Sequence, residues 1–187
     1  MTRSRFALSF GEKLDLDLVV GEEAPPATDA LVVPQDVHLI LGEVGQIEDT
    51  AETAEEVLAR SSGDRPRRPG SIVVAPPRKG APLVLQAIVY DFEDAPPTRE
   101  AYVFEALMSA FEEASGRRVT SLALQTLGTA HAGIEPLRFL TLLMQVCYSA
   151  VELGTRLRRI HLLLPTPAEL ELYERLLRGL AGGRATP

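Results

Sequence analysis

SLALQTLGTAHAGIEP, residues 121–136, is the stretch on which the reading of this chain turns. Residues 121–127 are an apolar run short enough for a buried strand. Residues 128–133 form a loop bounded by Gly128 and Gly133, and a long apolar helix opens near Pro136. The first turn of a helix leaves backbone N–H groups without intrahelical partners, and the helix dipole favours negative charge there. A strand, a glycine loop and a helix N-terminus therefore make an arrangement suited to anions. Glycine allows close approach of a ligand to the backbone and permits positive φ.

Outward from this stretch, strands and helices alternate. Toward the C-terminus, the helix after Pro136 reaches about Gly154 and carries Leu137, Leu140, Leu143, Met144, Cys147 and Val151 on one side. IHLLL, residues 160–164, is a buried strand, and Thr166 is placed to cap a last helix over 168–180. Residues 182–187 are expected to be a disordered tail. Toward the N-terminus, Thr98 is the expected cap of a helix running to about Ala114. LVLQAIVY, residues 83–90, and residues 71–75 are expected strands. A helix is expected over 46–60, with its acids Glu48, Asp49 and Glu52 toward the favourable end. DALVV, residues 29–33, is a strand that Pro34 should end. KLDLDLVV, residues 13–20, alternates apolar and acidic residues as a half-buried strand does, and it pairs in sequence with an extended run over 5–10.

The order implies an α/β fold: three layers, α/β/α, with a central mixed, mostly parallel sheet. In such folds ligands sit at the carboxyl ends of strands. Two loops qualify, residues 34–45 and 128–133, since each follows a strand and precedes a helix.

The 187 residues suit one domain, taken here as residues 1–181. A net charge of −7 argues against non-specific nucleic-acid binding and against docking on anionic membranes. It leaves room for a small anion held by oriented N–H groups. Cys147 is the single cysteine and reads as a buried hydrophobe. His38, His131 and His161 are far apart and show no zinc spacing; no metal or cofactor is expected. His161 reads as a sheet histidine and His131 as a loop residue, exposed or touching ligand. The N-terminus lacks a signal peptide's apolar core, and no run is long enough to span a membrane, so a cytoplasmic location is expected.

With these elements in order, the chain resembles the macro domain family over about residues 16–177. Gly21-Glu22 stands at the family's Gly-Asp. Asp29-Ala30-Leu31-Val32 stands at its "DAIV", and Gly42-Glu43-Val44-Gly45 at its first phosphate loop. Gly70-Ser71-Ile72-Val73-Val74 and the strand ending at Tyr90 follow. Ser121-Leu122-Ala123-Leu124, Gly128-Thr129 and Gly133 match its "SIAFPALGTGxxG" segment best.

The resemblance implies ADP-ribose or a related nucleotide diphosphate as ligand. Glu22 would read adenine and Asp36 the distal ribose. Gly42, Val44 and Gly45 of the first loop, and Gly128, Thr129, Ala130, His131 and Gly133 of the second, would hold the phosphates. Asp36 replaces the family's asparagine, Glu43 puts a carboxylate in the first loop, and Ala130 replaces a glycine. These departures imply a binding module without strong catalytic activity. The alternative is a pseudo-macro domain whose fold serves protein contact or structure. A hydrolase of ADP-ribosyl linkages, with a water activated by substrate phosphate or by Asp36 as base, stands behind both. Oligomeric state is not legible.

Overall fold

The computed structural model describes residues 2–21, 24–25, 27–41, 65–77, 79–131 and 133–182. Its strands are β1 (Thr2–Phe10), β2 (Leu14–Val20), β3 (Ala30–Asp36), β4 (Ile72–Val74), β5 (Leu83–Tyr90), β6 (Ser121–Gln125) and β7 (Arg159–Leu164). Its helices are α1 (Glu100–Gly116), α2 (Pro136–Glu152) and α3 (Pro167–Gly182). The strands form one sheet in the order β1-β2-β7-β6-β3-β5-β4. The five inner strands are mutually parallel, and β1 and β4 run antiparallel at the two edges. This is the mixed, mostly parallel sheet that the alternation of elements implies.

The pleat sorts the side chains of the inner strands. On one face Leu14, Leu16 and Leu18 of β2, Ile160, Leu162 and Leu164 of β7, and Leu122 and Leu124 of β6 pack with the three helices into one core. Each of these residues is fully buried. Burying a side chain of this size contributes about 1.5–3 kcal/mol, so this face holds the domain together. On the opposite face Val19, Ala123 and Leu163 form a smaller cluster with Ala24 and Leu31. The helix expected over 46–60, which would supply a second helical layer, lies outside the described residues, and so does the tail from residue 183.

Two local expectations are corrected. Pro34 does not end β3; it pairs in register with Ala87 of β5, and the strand continues to Asp36. The reason is position. Val32 is the last β3 residue in register with β6, so a proline two residues further removes no bond from that ladder. Thr98 does not cap α1. Arg99 is the N-cap residue and makes no side-chain cap bond, while the Thr98 hydroxyl is buried with no hydrogen-bond partner among the described residues. Thr166 does cap α3, in a capping box. The Glu169 N–H donates to Thr166 Oγ1 at 3.2 Å, and the Thr166 N–H donates to Glu169 Oε2 at 3.2 Å.

Cys147 is buried, and burial pushes its thiol well up from the ordinary range. His161 is 5% exposed, with Nδ1 3.5 Å from the carboxylate of Asp17 on the neighbouring strand.

The amino ends of β3 and β6 are tied by Asp29. Its Oδ2 accepts from Thr120 Oγ1 at 2.7 Å, from the Thr120 N–H at 2.9 Å and from the Ser121 N–H at 3.0 Å. The Thr120 hydroxyl, followed by the Thr120 N–H, holds the Asp29 carboxyl below its usual 3.8. A depressed folded pKa stabilises the protein above the unfolded value and is lost as pH falls through the folded one. The stability difference between wild type and Asp29→Asn should therefore be present at neutral pH and shrink below about pH 4 in urea melts. A difference that stays constant down to that range would remove this tie from the account.

Candidate functional site

The carboxyl ends of the parallel strands define where a crevice can lie. The chain leaves β3 toward β5 and leaves β6 toward β7, in opposite directions along the sheet. Connections that diverge from two adjacent strands leave a crevice above their carboxyl ends. Here β3 and β6 also stop pairing after Val32 and Leu124, while β3 runs on to Asp36. The described part of the loop after β3, to Leu41, and the loop after β6 follow the two strands that border this opening.

The loop after β6 is closed on itself. The Ile134 N–H donates to the Gly128 carbonyl at 2.7 Å and the Gly133 N–H to the Ala130 carbonyl at 3.0 Å. The glycines serve different purposes. Gly128 has φ +70, and a Cβ there would lie 2.6 Å from Val103 Cγ2 of α1, so it supplies both the turn and the seating on the helix. Gly133 is required by space alone: a Cβ there would lie 1.8 Å from the Gly128 carbonyl oxygen.

Two buried tyrosines, neither of them signalled in the sequence as site residues, hold this loop from outside. The Ala130 N–H donates to the Tyr90 hydroxyl at 3.2 Å, and that hydroxyl lies 3.4 Å from the Ala130 carbonyl. Burial pushes the Tyr90 phenol up to about 12, partly offset by the Ala130 N–H. From α3, the buried Tyr173 hydroxyl hydrogen-bonds the Thr129 side chain; burial, followed by the nearby Glu169 charge, raises its pKa. Tyr90 begins on β5, so it reaches past the end of β3 to grip a loop that belongs to β6. The only sequence signal was a polar-tipped aromatic at the end of an otherwise aliphatic strand.

These contacts revise one assignment. The Ala130 N–H, expected to face phosphate, is taken by Tyr90. Thr129 is half-buried, and Ala130 and His131 are exposed at the loop tip. His131 sits at φ +53 and stands edge-on to both Tyr90 and Phe92, with ring centroids 5.3 and 5.6 Å away.

Asp36 is also revised. It was expected to accept from the distal ribose, yet it is 1% exposed. Its Oδ1 accepts from the His38 N–H at 2.7 Å, and its Oδ2 from the N–H groups of Ile40 and Leu41 at 2.9 and 3.0 Å. Gln35 assists: its amide oxygen accepts from the Leu41 N–H at 3.2 Å, and its amide nitrogen donates to the Leu41 carbonyl. The carboxylate therefore shapes the loop after β3. Leu39, at φ +59, is the residue that pays for this tight path. Glu22, Gly42, Val44 and Gly45, together with Glu43, lie outside the described residues.

The loops are braced from the outer side. Arg138 at the start of α2 forks onto Glu100 at the start of α1, with Nε–Oε1 at 2.8 Å and Nη2–Oε2 at 3.0 Å. His38 Nε2 lies 3.6 Å from Glu93 Oε1, linking the loop after β3 to the loop after β5.

No family model matches the sequence, and no curated protein matches it either. Solved structures do resemble it. The Oceanobacillus iheyensis macrodomain with MES bound superposes with a TM-score of 0.74 at 14% identity, over 97% of this chain and 100% of that one. The same macrodomain with ADP gives 0.73 at 14% identity, over 98% and 100%. The Trypanosoma brucei macrodomain in complex with ADP gives 0.63 at 18% identity, over 87% and 68%. The chain has a macrodomain-like fold along nearly its whole length.

Proposed function

We propose that the crevice between β3 and β6 binds ADP-ribose or a related nucleoside diphosphate, and that it does so without strong catalysis. The observation that carries this is the loop 128–134. It is closed by Gly133, clamped by two tyrosines and set at the divergence of two parallel strands. A rigid backbone loop before a helix N-terminus is suited to phosphate because its N–H dipoles need no reorganisation on binding. ADP in two macrodomain structures of like fold supports the choice of ligand. In this reading Thr129 and His131 offer N–H groups to phosphate, and the base lies toward Glu22, the neighbour of Gly21 at the end of β2. The engagement of Asp36 by its own loop speaks against that residue as a base.

The second reading, a macro-like domain that has given up its ligand and serves protein contact, draws on the diversion of the Ala130 N–H to Tyr90. Thermal melts with ADP-ribose, ADP and AMP separate the two. A ligand at a hundred times its Kd adds about 2.7 kcal/mol. For a chain of this size that raises Tm by about 5–10 °C. The expected result is such a rise with ADP-ribose and ADP; no rise with any of the three leaves the protein-contact reading.

A further inference from the structure

Phe92 has no part in the phosphate site as described. It is a large aromatic that is 45% exposed, yet it is not loosely held. Its ring lies parallel to the buried Tyr90 ring, at 5.6 Å and 5°. His131 closes one side, edge-on at 89°. The turn that carries Phe92 is fixed by its own hydrogen bonds. The Asp91 N–H donates to the Pro97 carbonyl at 2.8 Å, the Asp94 N–H to the Asp91 carbonyl at 3.2 Å, and the Glu93 N–H to Asp91 Oδ1 at 3.1 Å. An exposed aromatic ring backed by a buried one and walled by an imidazole is a prepared face for a further planar ring.

Its place in the sheet says which part of a ligand would meet it. The inner strands run β2-β7-β6-β3-β5. On the diphosphate reading above, the base end of the ligand is directed toward Gly21, just after β2, and the diphosphate toward the ends of β6 and β3. Phe92 follows β5, at the far side. From β2 to β5 there are four strand spacings, roughly 19 Å, the scale of an extended nucleoside diphosphate with a second sugar. What reaches Phe92 is therefore whatever that second sugar carries.

We infer that Phe92, with Tyr90 behind it and His131 beside it, is a stacking seat for an aromatic ring on the distal sugar. The ligand class is then a nucleoside diphosphate with an aromatic group at each end. This rests on the diphosphate reading above and narrows it. Stacking of a base on an aromatic side chain contributes enough for about tenfold in affinity.

Calorimetric titration of the full chain with ADP-ribose and with NAD⁺ tests it, because the two probes differ by the distal aromatic ring. The expected result is NAD⁺ binding about tenfold more tightly than ADP-ribose. Phe92→Leu should bring the two affinities together and leave ADP-ribose unchanged, while Phe92→Tyr should keep the difference. ADP-ribose binding with NAD⁺ equal or weaker overturns the seat and leaves the diphosphate site standing. A preference for NAD⁺ that survives Phe92→Leu also overturns the seat. If neither probe binds, the diphosphate reading and the seat fall together.

Discussion

Gly133→Ala should lower stability by about 3 kcal/mol, or roughly 6–12 °C in Tm for a chain of this length, and abolish nucleotide binding. The cause is one distance. The new Cβ would fall 1.8 Å from the Gly128 carbonyl oxygen and 2.7 Å from the Ala130 carbonyl oxygen, both backbone atoms. A flexible side chain could move aside, but this backbone cannot without breaking the loop. The Ile134 N–H bond to Gly128 and the Gly133 N–H bond to Ala130 would open together, and the grips of Tyr90 and Tyr173 would lose their target. Gly179→Ala is the control. Nothing lies within 4 Å of a Cβ there, and it lies inside α3, where alanine is the better helix former. Its Tm should hold or rise slightly. If Gly133→Ala melts with the wild type and still shows ADP-dependent stabilisation, the loop is not closed as described and is not the phosphate site.

Asp36→Ala should cost about 2 kcal/mol, since a buried N–H left without an acceptor costs about 1–3 kcal/mol and, of the three that donate to this carboxylate, only the Leu41 N–H keeps a second acceptor, Gln35 Oε1. Two of them, from His38 and Ile40, are only partly buried, which holds the sum toward the lower end. Asp36→Asn keeps one acceptor oxygen but turns an N–H₂ group toward backbone donors, so it should recover only part of the loss. Chemical denaturation of the three proteins gives the order wild type, Asn, Ala. An Ala variant within 0.5 kcal/mol of wild type, about the scatter of an ordinary surface substitution, would show that the loop after β3 is held by something other than Asp36. The same series bears on function. As a positioning residue, Asp36 should weaken ADP binding in proportion to the loop's destabilisation. A direct ribose acceptor would weaken ADP-ribose and leave ADP untouched.

How far the site was legible follows from the kind of signal each residue leaves. Gly128 and Gly133 were legible because the need for glycine is local: a positive φ in one, a close backbone approach in the other. Thr166 was legible because a capping box closes within four residues. Asp36 was legible as important but not as to why. A carboxylate after a strand looks the same whether it faces ligand or turns back onto its own loop. Tyr90, Phe92 and Tyr173 were not legible as neighbours of the site, because what makes them so is each one's distance from a loop at least 36 residues away in sequence.

Alternation of apolar and acidic residues, continuous aliphatic runs and turn residues determined by themselves the order of the described elements and the α/β class with its buried sheet. Those features act through neighbours along the chain, where period and φ preference decide. The tertiary structure decided what long-range closure alone can decide. It set Pro34 harmlessly beyond the last β3 residue paired to β6, drew the Thr98 hydroxyl inward, and spent Asp36 on backbone N–H groups. It also passed Tyr90 across the end of β3 to clamp the glycine loop. Each outcome depends on which strands become neighbours, and a hydrogen bond's partner is chosen by that proximity, not by spacing in sequence.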